Sequence, residues 1–572
     1  MLKTKTKAAA RLGTALTAAA MVAPLVSVAV GSNAASAQTS FPRDETLYTS
    51  GTAYSPPSNW NPLDGGSRYT GTMGLLYEPL FLYDPIHNKF IPWLATSGSW
   101  VNSNTYVIHV RNGVKWTDGS PLTGADVAYS INLAKTNPAV PYSNLGSYLA
   151  GPGAVANGNT VTVHFKSPAP YAFWQSYLWN QPVLPEAVWS KLSPTEQVTG
   201  ANTKPVSTGP MTLDTYNQTE ACYQDNPNWW AIKQLGLSFH FKYLCDVVNG
   251  SNNVELTALL NDQVDWSNNF LPGINTLKTI GGNSFIQTYY PSAPYMLSAN
   301  TAWLELNTSK APMNNVNFRK AVAYAVNPQA IVTGVYDGIV RAANPTGLLP
   351  NLDSYVDQSV VKKYGFSYNP SLAKKYLKMS GYKGQKLTLE VPDGWTDWMA
   401  AIQVISSELQ KIGIHVSPIY PSANARTEDQ IKGTFDMEIN NNVGASSDPW
   451  SYFDHVYQLP IGGASNEEAA GINIERYSDP AAWKLVQEAG TTPPSDTAKL
   501  HSIYSQLEAT FLQNLPEIPL WYNGAWFQGN DTLWKDFPSS TNPSDQNVPV
   551  MWGGYLGAMT TVYALAALRP VK

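Results

Sequence analysis

From residue 39 onward two periodicities alternate along the chain. Tyr106-Val-Ile-His-Val-Arg111 and Thr160-Val-Thr-Val-His-Phe165 switch between apolar and polar positions with period two, which predicts half-buried strands. Between them Leu122-Thr-Gly-Ala-Asp-Val-Ala-Tyr-Ser130 predicts a helix start, with Thr123 as cap and Asp126 completing a capping box. Asn317-Phe-Arg-Lys-Ala-Val-Ala-Tyr-Ala-Val326 spaces its apolar positions three and four apart, as an amphipathic helix does. A third helix is predicted over 370–380, capped by Asn369, opened by Pro370 and closed by Gly381; a fourth covers 399–412 and stops at Gly413. Strands and helices alternate throughout without an internal repeat, so the class is α/β or α+β with several lobes.

The first 37 residues break this pattern. Lys3, Lys5, Lys7 and Arg11 precede an Ala/Val/Leu-rich run over 12–30, and Ala35-Ser36-Ala37 offers small residues ahead of Gln38. That arrangement predicts a secretory signal peptide rather than a retained anchor. No cysteine stands near the cleavage point, so a lipid-anchored form is not expected. An exported protein is the expectation, in a periplasm or on the extracellular face of a membrane.

Composition narrows the function classes. The 572 residues carry 43% apolar and 12% aromatic positions, including 19 Trp, but only 13% charged ones, against about 25% in ordinary domains. Without the four basic residues of the leader, 32 Lys and Arg face 41 Asp and Glu, a net charge of −9. A nucleic-acid binder would show a basic face, so that class is excluded. So few ionisable groups suit a medium of acidic or variable pH. Cys222 and Cys245 each fall in a strand-like run, and export permits a disulfide between them; two buried thiols are the alternative.

Several motifs in fixed order carry a resemblance. They are Tyr77-Glu-Pro-Leu-Phe-Leu-Tyr-Asp84, Pro92-Trp-Leu-Ala95, Val110-Arg-Asn-Gly-Val-Lys-Trp-Thr-Asp-Gly119, Ser207-Thr-Gly-Pro-Met211 and Asn226-Pro-Asn-Trp-Trp230. Asn307, the 318–327 helix, the run from Tyr368 and Leu515-Pro-Glu-Ile-Pro-Leu520 complete the set. The chain resembles the family 5 extracellular solute-binding proteins, the peptide, nickel and oligosaccharide receptors of ABC importers. The resemblance implies a large, three-subdomain, two-lobed periplasmic-binding-protein-like α/β fold with a two-segment hinge. Carried onto this chain, a first lobe spans 38–298 with an inserted subdomain over about 76–204. A second lobe spans 299–519, and 520–572 returns to the first. It implies a ligand held between the lobes, an ABC permease as partner, a monomer and no catalysis. Most of the motif residues have structural explanations: Asp118-Gly119 reads as a turn, Tyr77, Leu80 and Phe81 as core, and Arg319 as the partner of an acid or a helix end.

The ligand is less legible. Peptide receptors of this type commonly hold the ligand's ammonium with an aspartate, whose position matches Ala445 in Val443-Gly-Ala-Ser-Ser-Asp-Pro-Trp450. Asp448 remains nearby, but Asp-Pro before an apolar run reads as a helix cap. Sugars pair aromatic platforms with neutral hydrogen-bonders. Candidate binding residues are therefore Trp60, Trp395, Trp398, Trp450, Trp521, Tyr522 and Asn523, with Asp448. An oligosaccharide is the favoured small-molecule ligand and an oligopeptide the alternative. The seven histidines are dispersed, so no metal centre or cofactor is expected, although a chelate held by one histidine stays open. A secreted polysaccharide hydrolase is the rival from another class; it needs two spaced carboxylates that no local motif marks.

Overall fold

A computed structural model describes residues 41–51, 56–64, 67–279, 285–441, 443–461, 472–551 and 559–571. The expected signal peptide lies outside the described residues. Three sheets organise the rest. The first has seven strands in the order Ile286–Gln287, Gln528–Asn530, Trp266–Ser267, Thr46–Ser50, Tyr243–Val247, Glu220–Asp225 and Met211–Tyr216. Its Gln528–Asn530 strand comes from the far end of the chain and pairs with Trp266–Ser267 and Ile286–Gln287. The second sheet has six strands: Arg341–Ala342, Glu517–Ala525, Leu297–Leu306, Met437–Asn440, Leu387–Glu390 and Val416–Ile419. The third is an antiparallel four-stranded sheet in the order Ala95–Asn102, Thr105–Val110, Thr160–Phe165 and Leu149–Asn157.

Leu297–Leu306 and Glu517–Ala525 are the two long strands at the centre of the second sheet, paired antiparallel along nearly their whole length. The boundaries expected at 298/299 and 519/520 fall inside these strands. Apolar side chains gather into two cores, one around the six-stranded sheet and one spanning the four-stranded and seven-stranded sheets.

Local signals act as the patterns predict. Thr123 caps the helix Gly124–Thr136 with a complete capping box to Asp126. Asn369 accepts from the Leu372 amide to open Pro370–Ser380, which ends at Gly381 in the left-handed region. Arg319, on the helix Val316–Ala325, pairs with no acid among the described residues: its Nε donates to the carbonyls of Asn514 and Leu515 and its Nη1 to that of Met313. It thereby closes the C-terminal end of the helix Thr497–Asn514.

The distant motifs converge on one buried acid. Glu78 is 1% exposed, and its Oε1 accepts from the indoles of Trp93 at 2.9 Å and Trp229 at 3.1 Å. Its Oε2 accepts from Trp230 at 3.0 Å. Three motifs up to 152 residues apart are thus tied by hydrogen bonds that a buried carboxyl requires. Cys222 and Cys245 are bonded to each other, opposite one another on adjacent antiparallel strands with Cα atoms 4.1 Å apart.

Candidate functional site

Two adjoining chambers open between the cores. The first, about 380 Å³, takes Tyr289, Tyr290, Ser540 and Gln546 from one side and Arg341, Asn351 and Ala445 from the other, with Tyr522 on the shared long strand. The second, about 400 Å³, takes Arg68, Ser176, Trp179 and Asn180 from one side and Ser446, Asp448, Trp450 and Asp454 from the other. Ala445 and Met559 line both, so the chambers adjoin. A smaller chamber of about 180 Å³ continues past Ser447 and Asp448 toward Tyr355 and Tyr504. Each of the two larger chambers is within the size range of a small-ligand site, about 300–1,000 Å³.

The first chamber presents aromatic faces with neutral polar groups. Tyr289 and Tyr290 meet edge to face, centroids 5.0 Å apart, and the Tyr289 hydroxyl donates to the Gln546 carbonyl at 2.9 Å. The Tyr522 hydroxyl donates to the Leu348 carbonyl and accepts from the Asn344 amide, so its ring is fixed as a wall. Arg341 is the chamber's only charged side chain among the described residues lining it.

The second chamber is charged. Arg68 is held by the Pro62 carbonyl, and burial lowers its pKa to about 10, which leaves it cationic at neutral pH. Asp454, on the helix Trp450–Tyr457, has its pKa pushed up to about 7 by burial. Asp448 Oδ1 accepts from the Trp450 amide at 2.8 Å and the Tyr504 hydroxyl at 3.1 Å, so it anchors the helix start while also lining the chamber.

A bridge crosses the gap beside these chambers. The Tyr83 hydroxyl lies 3.0 Å from the Ser446 carbonyl oxygen, which also accepts from Asn351 Nδ2 at 2.9 Å. Phe173 meets Trp450 edge to face at 6.1 Å. The segment around Ala445 is therefore held by both sides of the cleft.

Of the eight candidate binding residues, Tyr522 lines the first chamber and Asp448 and Trp450 the second. The remaining five are corrections. Trp60 is fully buried, donates its indole N–H to the Tyr223 hydroxyl at 2.9 Å and packs on Tyr216, so it is core. Trp398 and Trp521 are 1% and 0% exposed inside the core around the six-stranded sheet. Trp395 packs against Trp398 at 4.6 Å. Strand alternation explains Trp521 and Asn523: Tyr522 and Gly524 face the first chamber, which turns their neighbours Trp521 and Asn523 to the other face of the sheet. Sequence reasoning missed Tyr289, Tyr290, Arg341, Asn351, Trp179 and Asp454. Only the Tyr-Tyr pair ahead of Pro291-Ser-Ala-Pro294 carried a loop signal.

Residues 89–463 match the sequence profile of the bacterial extracellular solute-binding proteins, family 5, middle region. The chain belongs to this family. A family 5 crystal structure from Thermotoga maritima, an oligopeptide ABC transporter periplasmic oligopeptide-binding protein with mannohexaose bound, is 39% identical to it. The two superpose with a TM-score of 0.87 over 93% of this chain and 99% of that one. The oligopeptide-binding protein OppA of Bacillus subtilis is 22% identical over 75% of this chain and 78% of its own length. The nickel-binding periplasmic protein of Escherichia coli is 26% identical over 67% and 72%. The family 5 fold is the two-lobed binding-protein architecture expected from the sequence, and its members are the solute-binding components of ABC transporters. The relatives are binding proteins rather than enzymes. Among the described residues no helix is long and apolar enough to cross a membrane.

Proposed function

We propose that this family 5 protein captures an oligosaccharide between its lobes and hands it to an ABC permease. The observation that carries this reading is the first chamber's lining: tyrosine faces, Asn351, Gln546, Ser298 and Ser540, and no acidic side chain among the described residues. An α-ammonium buried there would lack a counter-charge and be strongly disfavoured. A hexose can instead lay its C–H face on a tyrosine ring and give its hydroxyls to the neutral amides. The mannohexaose held by the Thermotoga maritima relative supports the same reading. A run of sugars would extend from the first chamber past Ala445 into the second, where Trp179 and Trp450 offer further faces.

The opposite charges of Arg68 and Asp454 in the second chamber favour an oligopeptide as the second reading. The two part in a calorimetric titration with manno-, cello- and xylo-oligosaccharides and with di- to pentapeptides. Saturable binding of an oligosaccharide, weakened about tenfold by Tyr290→Ala, is the expected result, since one aromatic face contributes about 0.5–1.5 kcal/mol beyond its area. Binding of peptides alone, abolished by Asp454→Asn, overturns it. Turnover of a bound sugar to shorter products would instead support the hydrolase alternative.

A further inference from the structure

Three glutamates stand side by side in the middle of the six-stranded sheet. Glu305 lies opposite Glu438 on one neighbouring strand and opposite Glu517 on the other. All are 0–1% exposed. Like charges directly opposite one another in a sheet destabilise it, and burial removes the water that would screen them. Arg426 forms an ion pair with Glu438 at 3.0 Å, and Gln430 donates to the same carboxylate at 2.8 Å, which offsets charge at that end of the row. Nothing comparable serves the other end. Among the described residues Glu517 Oε1 has no hydrogen-bond partner, and neither has either carboxylate oxygen of Glu475, which is 0% exposed.

An imidazole points into this place. His455 is 5% exposed, its Nε2 has no hydrogen-bond partner among the described residues, and that nitrogen lies 3.8 Å from Glu517 Oε1. Glu305, His455 and Glu517 each bring one donor atom within 4.8 Å of the others. A separation of 3.8 Å between two donors is too long for a hydrogen bond and suits two ligands of one ion, each at about 2.0–2.2 Å. His455 sits on the helix that carries Trp450 and Asp454, and it also lines the second chamber, which gives an ion a route in.

We propose that Glu305, Glu517 and His455, with Glu475 beside them, form a binding site for one divalent cation of the zinc class behind the wall of the cleft. Imidazole together with carboxylates is the donor set such ions accept. The cation would balance the charge of the carboxylates that ligate it, and would fix the helix that forms one side of the second chamber. The site adjoins the second chamber through His455, which both share, and does not depend on which solute the chambers take.

The test uses untagged protein, stripped with a chelator and refilled with Zn²⁺ or Co²⁺. Elemental analysis after gel filtration is expected to find about one Zn²⁺ per chain, and X-ray absorption of the wild-type complex to find a nitrogen and oxygen shell with one imidazole. His455→Gln and Glu517→Gln are expected to weaken Zn²⁺ binding by more than the tenfold to hundredfold typical of outer-sphere changes. Wild-type protein that keeps no metal after refilling overturns the proposal, as does equal Zn²⁺ affinity in His455→Gln or a shell without imidazole. The absorption measurement needs no variant, so it decides the question even where a substitution prevents folding.

Discussion

Replacing Glu78 by Gln keeps the shape of a fully buried side chain and removes its ability to ionise. Burial pushes the Glu78 pKa from 4.5 up to about 7, against the opposing effect of its hydrogen bonds from Thr208 and three indoles. Between those two values the folded protein holds a proton that the unfolded chain has released. Stability from this group is therefore complete below about pH 4.5 and is lost as pH rises through about 7. Each pH unit in that window removes about 1.4 kcal/mol, and the whole window about 3 kcal/mol. The amide of Glu78→Gln can still accept from Trp93 and Trp229 but turns its NH₂ toward Trp230, leaving a buried N–H unsatisfied at a cost of about 1–3 kcal/mol. Urea unfolding followed by tryptophan fluorescence, at several pH values from about 4.5 to 8, reads the difference. The variant is expected to be less stable by about 1–3 kcal/mol at the acid end. That gap should narrow by about 3 kcal/mol toward the alkaline end as the wild type loses its proton-linked stability. A gap that stays constant across the range refutes the reasoning; the carboxylate would then be ionised throughout and held by its three indole donors. Burial also raises Asp246 to about 7 and Glu255 to about 8, so the wild-type protein should gain stability toward acidic pH by more than Glu78 alone supplies.

Reducing the Cys222–Cys245 bond, which spans a separation of 23 residues, should lower the unfolding free energy by about 3 kcal/mol, read as a lower urea midpoint with reductant present. An unchanged midpoint would mean that the bond does not restrict the unfolded chain. Tyr83→Phe removes the hydroxyl that meets the Ser446 carbonyl across the cleft, about 1 kcal/mol, so ligand affinity should fall roughly fivefold while the thermal midpoint of the unliganded protein stays close to wild type. An unaltered affinity would show that this contact forms equally in the open state. Trp60→Phe loses the bond to Tyr223 and should cost about 1–3 kcal/mol of stability with no change in ligand affinity; weakened binding in a folded variant would return Trp60 to the site.

Much of the fold was legible because local chemistry determines it. The capping box at Thr123, the Asn369–Pro370 helix start and the period-two strands at 105–110 and 160–165 each depend on neighbours within a few residues. The order of the motifs was legible for a related reason: turns, caps and core positions repeat across a family whose members share one architecture. The site was much less legible. Trp60 and Trp450 both stand in loop-like contexts in the sequence, yet one is sealed under Tyr216 and the other faces a chamber. Tyr289 and Asn351 gave little warning, because the surface they form exists only after segments from opposite ends of the chain meet.

The glutamates show the division most sharply. Trp303-Leu-Glu-Leu306, Met437-Glu-Ile439 and Pro516-Glu-Ile-Pro519 each place an acid within an apolar strand, a signal that was present and passed over. By itself the sequence determined helix and strand periods and the family's motifs, since each follows from residue type and near neighbours. Only the tertiary structure decided that Glu305 would face both Glu438 and Glu517, that His455 would turn its ring toward them, and that Tyr522 rather than Trp521 would meet the ligand chamber. Those outcomes depend on strand register and on which face of an element is covered, and long-range pairing alone decides both.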